Sequence, residues 1–201
     1  MTNRNTLRSV FLLVALGLRQ FFSKKSSNFT NELNRFVLKK ILLLSDTHSH
    51  LDEKILKYVN QADEVWHAGD IGDLKVTDTL KKLKPLRAVY GNIDDAKARM
   101  EFPLDNRFRC EEVEVYITHI GGYPKKYKPR VLEELKREMP KLFICGHSHI
   151  LKVIYDKELN LLHLNPGAAG IYGMHQIRTM LRFEIDKEQI KNLEIIELGQ
   201  K

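Results

Sequence analysis

The segment that most constrains the fold is Ile41-Leu-Leu-Leu-Ser-Asp-Thr-His-Ser-His50. Four consecutive aliphatic residues predict a short strand buried on both faces, as in a sheet covered by helices. Polar residues begin where this strand ends, which is where open sheets carry their functional side chains. Asp46 and His48 are two positions apart, so in an extended segment both side chains leave the same side. The pair is therefore either a turn or half of a cation site.

The next residues alternate between helix and strand patterns. Asp52 is a candidate N-cap for an amphipathic helix over 52–59, and a second helix is predicted at about 76–83, before Pro85. Strands are predicted at 64–68 and 86–90. This order implies parallel pairing with right-handed crossovers. Three strands would then end in polar loops at one edge of a sheet.

The second half of the chain contains more strands than helices. One helix is predicted at about 131–138, after a basic loop rich in Gly and Pro. Strands are predicted at 107–118 with a turn near 111–112, and at 142–145, 151–155, 161–164, 179–185 and 192–198. The pattern predicts an α/β (α+β) protein in which two sheets pack together and helices lie outside.

The net charge of +7 is concentrated at the N-terminus. Residues 1–40 hold eight Lys and Arg against Glu32, whereas residues 41–201 hold 25 basic and 25 acidic residues. A neutral globular part gives no argument for a nucleic-acid polymer as partner. Cys110 and Cys145 lie 35 positions apart and indicate neither a disulfide framework nor a cysteine metal site. We expect a cytoplasmic protein.

Residues 1–38 differ in character from residues 39–201, which we predict to form a complete domain. The apolar run Val10–Leu18 is too short to span a bilayer, which needs about twenty residues. It could be the core of a signal peptide or a basic amphipathic anchor on a membrane. The third interpretation is an extension that is disordered, or is rarely or never made, with the protein starting near Val37 or Leu38.

Five predicted strands end in residues that bind metals. These are Asp46 and His48, Asp70, Asn92, His119, and His147 with His149. They supply the eight ligand positions of a two-metal site if one carboxylate bridges. Carboxylate, imidazole and amide donors without thiolate suit Mn, Fe or Zn better than Ca.

In order and spacing, these residues resemble the five motifs of the calcineurin-like metallophosphoesterases. The motifs are Asp46-x-His48, Gly69-Asp70, Gly91-Asn92-x-Asp94, His119 and Gly146-His147-x-His149. The resemblance covers about residues 39–198 and is greatest to small bacterial and archaeal phosphodiesterases of the YfcE type, relatives of the retromer subunit Vps29. It implies a four-layer αββα sandwich with two metal ions at the strand ends.

The resemblance also implies how the ligands are shared. Asp46, His48, Asp70 and His149 would hold one ion, and Asp70, Asn92, His119 and His147 the other. The ions are expected to be Mn, with Fe, Zn, Ni or Mg as alternatives. They would present a bridging hydroxide to a phosphodiester and neutralise its oxygens. We assign catalytic roles to Asp70, Asn92 and His147.

One position departs from the family pattern. The family usually has His at the third position of the Gly-Asn-x-Asp motif, to stabilise the transition state or protonate the leaving oxygen, and this chain has Ile93. We therefore expect slow turnover and a preference for good leaving groups. His50 or His175 could substitute. Asp94 would lose the imidazole that it orients.

The expected substrate is a small or nucleotide-like phosphodiester, and the protein could form a homo-oligomer. Lys125, Lys126 and Arg130 follow His119 in a loop and are candidates for gripping phosphate. The rival from another class is a Vps29-like interaction module with a weak metal site. A third interpretation makes residues 1–38 a membrane anchor and the substrate a lipid-linked phosphate.

Three further residues are interpreted as structural. His67 and His163 lie within predicted strands and are expected to be packed, and Trp66 is expected in the core. Asn165 follows a strand and could support the metal ligands from behind.

Overall fold

The computed structural model describes residues 38–201. The predicted N-terminal extension lies outside the described residues except for Leu38. Over the described range the chain forms ten strands and four helices. In chain order they are β1 Lys39–Leu44, α1 Glu53–Gln61, β2 Glu64–His67, α2 Lys75–Leu83, β3 Leu86–Ala88, α3 Ala96–Glu101, β4 Asp105–Cys110, β5 Val113–Thr118, α4 Pro129–Arg137, β6 Leu142–Ile144, β7 Lys152–Asp156, β8 Leu161–Asn165, β9 Ile177–Asp186 and β10 Gln189–Gln200.

The strands form two five-stranded mixed sheets. The first has the order β10-β9-β1-β2-β3 and the second the order β4-β5-β6-β8-β7. β1, β2 and β3 are parallel, as predicted, and so are β5, β6 and β8. The other neighbours pair antiparallel. Carboxyl ends of parallel strands share an edge, so both sheets deliver loops to one end of the sandwich.

The β1 sequence shows why the sheet is covered on both faces. Ile41 and Leu43 point into the core between the two sheets, where Trp66 also lies. Leu42 and Leu44 point the other way, towards Ile55 and the other buried residues under α1 and α2. A strand buried on both faces has no polar alternation, which explains the aliphatic run.

Helices complete the outer layers. Ile55 and Val59 of α1 are fully buried against the first sheet, and Val131 and Leu135 of α4 against the second. Each such side chain contributes about 1.5–3 kcal/mol by leaving water. The predicted four-layer αββα sandwich is confirmed. None of the helices of residues 38–201 is long and apolar enough to cross a membrane.

The sequence analysis did not predict α3, which has only six residues and one buried side chain, Ala98. Its start is fixed by the Asp95 carboxylate, which accepts the Ala98 amide at 2.9 Å. Such a short helix carries too little hydrophobic periodicity to be recognised.

Candidate metal centre

The seven predicted metal ligands lie at strand ends on one edge of the sandwich. The first sheet supplies Asp46 and His48 after β1, Asp70 after β2 and Asn92 after β3, and the second supplies His119 after β5 and His147 and His149 after β6. Within residues 38–201, six of them form two groups whose ligand atoms lie within 4.8 Å of one another.

The first group is Asp46, His48 and His149. His149 Nε2 lies 3.1 Å from Asp46 Oδ1 and 3.4 Å from His48 Nε2. Asp46 is completely buried, yet its Oδ1 has no hydrogen-bond partner among the described residues. A buried carboxylate oxygen without a donor is costly, and a cation would satisfy it.

The second group is Asp70, His119 and His147. His119 Nε2 lies 3.2 Å from Asp70 Oδ1 and 3.2 Å from Asn92 Oδ1. Asn92 therefore joins this group through its amide oxygen. Imidazole, carboxylate and amide donors fit Mn, Fe or Zn.

Asp70 faces both groups. Its Oδ1 points to His119, and its Oδ2 lies 3.7 Å from His48 Nε2 in the first group. The Ile93 amide donates to Oδ1 at 3.1 Å and fixes the carboxylate. One side chain with an oxygen towards each group is the arrangement that a bridging ligand requires.

Hydrogen bonds behind two histidines determine which nitrogen faces the centre. His119 Nδ1 lies 2.8 Å from the Ala68 carbonyl, which can only accept, so Nδ1 carries the proton. His175 Nε2 likewise donates to the Gly170 carbonyl at 3.0 Å. In neutral His175, Nδ1 is then an acceptor for His149 Nδ1, 3.2 Å away. With both rings neutral, Nε2 of His119 and of His149 is left as a lone pair for a metal.

Burial and the neighbouring charged groups shift the pKa values of the centre in different directions. Burial would raise the pKa of Asp70, but the hydrogen bond and charge of a protonated His119, together with the Ile93 amide, outweigh it and lower the pKa. Burial lowers the pKa of His48 and of His147. For His119, burial lowers the pKa, but Asp70 and Asp46 outweigh it and raise the pKa. A metal ion at Nε2 of His119 would compete with a proton for this nitrogen, so metal affinity would depend on pH.

The backbone of the ligand loops is strained. Positive φ angles of 46–69° occur at five of the seven predicted ligands, which are Asp46, His48, Asp70, His147 and His149. Positive φ is uncommon outside glycine, costs about 1–3 kcal/mol per residue and clusters at functional sites. The rest of the fold stabilises these loops in the conformation that gathers the ligands.

Two motif glycines are required by close packing. A Cβ at Gly91 would lie 2.0 Å from Asp70 Oδ1, and a Cβ at Gly146 would lie 2.1 Å from Ser45 Oγ. Asn165 supports the same region, because its Nδ2 donates to the Gly146 carbonyl at 2.8 Å. The glycines before Asn92 and His147 thus allow loops from different strands to meet.

Asp94, which has no imidazole to orient in this chain, has a structural role. Its carboxylate is buried and accepts the backbone amides of Gly91, Ile71 and Gly72 at 2.7, 3.2 and 2.8 Å. It therefore joins the loop that carries Asp70 to the loop that carries Asn92. The neighbouring Ile93 side chain is 45% exposed and supplies no proton.

The other histidines lie outside the two groups. His67 is fully buried, hydrogen-bonded to Thr47 Oγ1 and the Gly69 amide, and His163 is also fully buried, as expected. His50 pairs with the carboxylate of Asp52. The structure therefore supports neither His50 nor His175 as a proton donor, because His50 is paired with Asp52 and His175 lies behind His149.

The predicted substrate residues separate in the structure. Arg130 lines a cavity of about 350 Å³ that also contains Asn92 and His119, whereas Lys125 and Lys126 do not line it. Two residues near the centre were not among the predicted site residues. Arg99 lines the same cavity, and the ring of Tyr172 lies 5.0 Å from that of His48. No sequence signal singled out Arg99, because the short helix α3 that carries it has too little hydrophobic periodicity to be predicted.

Comparison with known proteins agrees with this geometry. Residues 40–188 match the family model of the calcineurin-like phosphoesterase superfamily domain. A probable metallophosphoesterase of Methanocaldococcus jannaschii is 28% identical over 136 residues, covering 64% of this chain and 67% of the relative.

Solved structures share the fold. A novel archaeal phosphodiesterase is 24% identical, with a TM-score of 0.59 over 79% of this chain and 99% of the other. Vps29 of Entamoeba histolytica complexed with Zn²⁺ is 16% identical, with a TM-score of 0.62 over 79% and 98%. The family model, the sandwich and the ligand groups together establish that this chain belongs to the calcineurin-like phosphoesterase superfamily.

Proposed function

We propose that this protein is a dimetal-dependent phosphodiesterase that hydrolyses phosphodiester bonds of small or nucleotide-like substrates. The observation that carries the proposal is the position of Asp70, with Oδ1 at 3.2 Å from His119 and Oδ2 at 3.7 Å from His48. A single metal site would need only one of these contacts. The archaeal phosphodiesterase with the same fold supports this choice.

The ligand sets follow from the two groups and the bridge. Asp46, His48, His149 and Asp70 would hold one ion, and Asp70, Asn92, His119 and His147 the other. Mn²⁺ is our first choice, because the donors are nitrogen and oxygen only. When bound, such ions lower the pKa of water and neutralise phosphate oxygens.

The chain's own residues prepare and limit this chemistry. The Ala68 carbonyl and His175 orient the rings of His119 and His149, and the Ile93 amide orients Asp70. At the leaving-group side, the exposed Ile93 side chain offers no proton. Turnover should therefore favour leaving groups that depart without protonation, such as aryl oxides.

The first test is hydrolysis of bis(p-nitrophenyl) phosphate by chelator-stripped protein with Mn²⁺ added back. Cleavage should depend on metal, and should fall by at least about 100-fold in Asp70→Ala and in His147→Ala, given the large share of metal ions in transition-state stabilisation. The matched control is Asp78→Ala, an exposed carboxylate on α2. Full activity in Asp70→Ala would refute the bridging role.

The second candidate function is an interaction module similar to Vps29. The observation that favours it is Ile93, an exposed aliphatic side chain beside the metal groups. Metal binding alone does not separate the two functions, since Vps29 of Entamoeba histolytica was crystallised with Zn²⁺. Absence of turnover with every divalent metal, in a folded protein that binds metal, would favour the module.

A further inference from the structure

A cationic cavity opens beside the second metal group. Its volume is about 350 Å³, within the range of about 300–1,000 Å³ of ligand pockets. Asn92 and His119 line the cavity and so belong to both the cavity and the metal centre. Arg99, Lys128 and Arg130 lie in the rest of the lining, which includes no carboxylate.

Arg99 is held in place without being neutralised. Its Nε donates to the Asp94 carbonyl at 2.8 Å and its Nη2 to the Asn92 carbonyl at 3.2 Å. The guanidinium lies 5.0 Å from the centre of the Tyr90 ring. Among residues 38–201, no carboxylate forms an ion pair with Arg99. The side chain is therefore an oriented positive charge with Nη1 available for a ligand.

The other two cations differ in charge balance. Lys128 is exposed and has no ion pair with a carboxylate in the described part of the chain. Arg130 is paired with Asp105 and also donates to Thr118 Oγ1 at 3.2 Å. The cavity thus carries two positive charges that the protein does not neutralise, next to the proposed site of phosphodiester hydrolysis.

We propose that this cavity binds a second phosphate group of the substrate, carried on one arm of the phosphodiester. The proposal rests on the proposed function, in which Asn92 and His119 hold one of the two metal ions that would bind the diester. Arginine forms strong charge-assisted hydrogen bonds with phosphate, and a guanidinium already oriented by two carbonyls loses little entropy on binding. The substrate class is then a nucleotide or sugar phosphodiester with an additional terminal phosphate.

The test compares two chromogenic substrates that differ by one phosphate. They are the 5′-(p-nitrophenyl phosphate) of thymidine with a free 3′-hydroxyl and the same ester with a 3′-phosphate. With Mn²⁺, kcat/KM should be about tenfold or more higher for the 3′-phosphorylated ester, mainly through KM. Arg99→Gln and Lys128→Gln should each lower this ratio towards one. Arg99→Lys should be intermediate.

The matched control is Lys97→Gln, an exposed cation on the same helix that does not line the cavity, which should leave the ratio unchanged. A ratio near one in the wild-type protein, with metal-dependent cleavage of both esters, would overturn the phosphate subsite and leave the proposed function intact. Cleavage of neither ester would overturn the proposed function.

Calorimetric titration provides a readout that does not need turnover. Thymidine 3′,5′-bisphosphate should bind at least about tenfold more tightly than thymidine 5′-phosphate, and Arg99→Gln should remove the difference. Equal affinities would overturn the inference whether or not the protein is a hydrolase.

Discussion

Two buried histidines provide a matched pair for testing how polar groups are tolerated in this core. His67 and His163 are both completely buried, and burial lowers the pKa of each to about 4. The ring nitrogens of His67 are hydrogen-bonded to Thr47 Oγ1 and the Gly69 amide. Neither ring nitrogen of His163 has a partner among the described residues. Its ring packs beside Phe143, 5.5 Å between ring centres.

Leucine substitutions should therefore act in opposite directions near pH 7.5. His163→Leu replaces an unsatisfied polar ring by an apolar side chain of similar size, and should raise the free energy of unfolding by about 1–3 kcal/mol. His67→Leu leaves the buried Gly69 amide without its acceptor, and should lower the free energy of unfolding by about 1–3 kcal/mol.

The pH dependence of the free energy of unfolding provides a second test of the role of His163. The folded pKa of His163, about 4, lies below the ordinary value of 6.5, so the unfolded chain binds more protons between these values. Stability is then complete above about pH 6.5 and is lost as the pH falls towards 4. Between pH 7.5 and 5, the wild-type protein should lose about 2 kcal/mol through His163, and His163→Leu should not.

The assay is equilibrium denaturation by urea of metal-free protein at both pH values. Histidines at the metal centre titrate both in the wild-type protein and in His163→Leu, so their contribution cancels when the pH dependence of these two proteins is compared. Destabilisation of His163→Leu at pH 7.5, or an unchanged pH dependence in this variant, would refute the reasoning.

Three further changes test individual contacts. His175→Ala should weaken Mn²⁺ binding by about 10–100-fold, because the acceptor for His149 Nδ1 is lost, and His175→Asn should recover most of the affinity. Competition with a chromogenic chelator measures the Mn²⁺ affinity of each protein. Equal affinity in the wild-type protein and both variants would contradict the assignment of the His149 tautomer. Asp94→Ala should lower the free energy of unfolding by about 3 kcal/mol or more, since three backbone amides lose a charged acceptor; a loss below about 1 kcal/mol in urea denaturation would show that these bonds are replaced. Ile93→His should raise turnover on alkyl diesters more than on aryl diesters, and an unchanged ratio would mean that proton delivery is not limiting.

The sequence by itself determined the strand ends and the residues placed there. Local signals sufficed for this: the aliphatic run before Asp46, the glycines before Asn92 and His147, and the βαβ order that makes β1, β2 and β3 parallel. The aliphatic run and the glycines lie next to the ligands that they predict, whereas the βαβ order is read over residues 39–88. The fold class and the family followed from the order of these motifs.

Only the tertiary structure decided which ligands meet and what supports them. His48 and His149 are 101 positions apart and come from different sheets, so their contact depends on how the two sheets pack. The same packing places His175 behind His149. Hydrophobic periodicity specifies a helix or strand and its buried face. Long-range packing decides which groups surround each polar side chain of the centre, and those groups set its tautomer, its charge and its role.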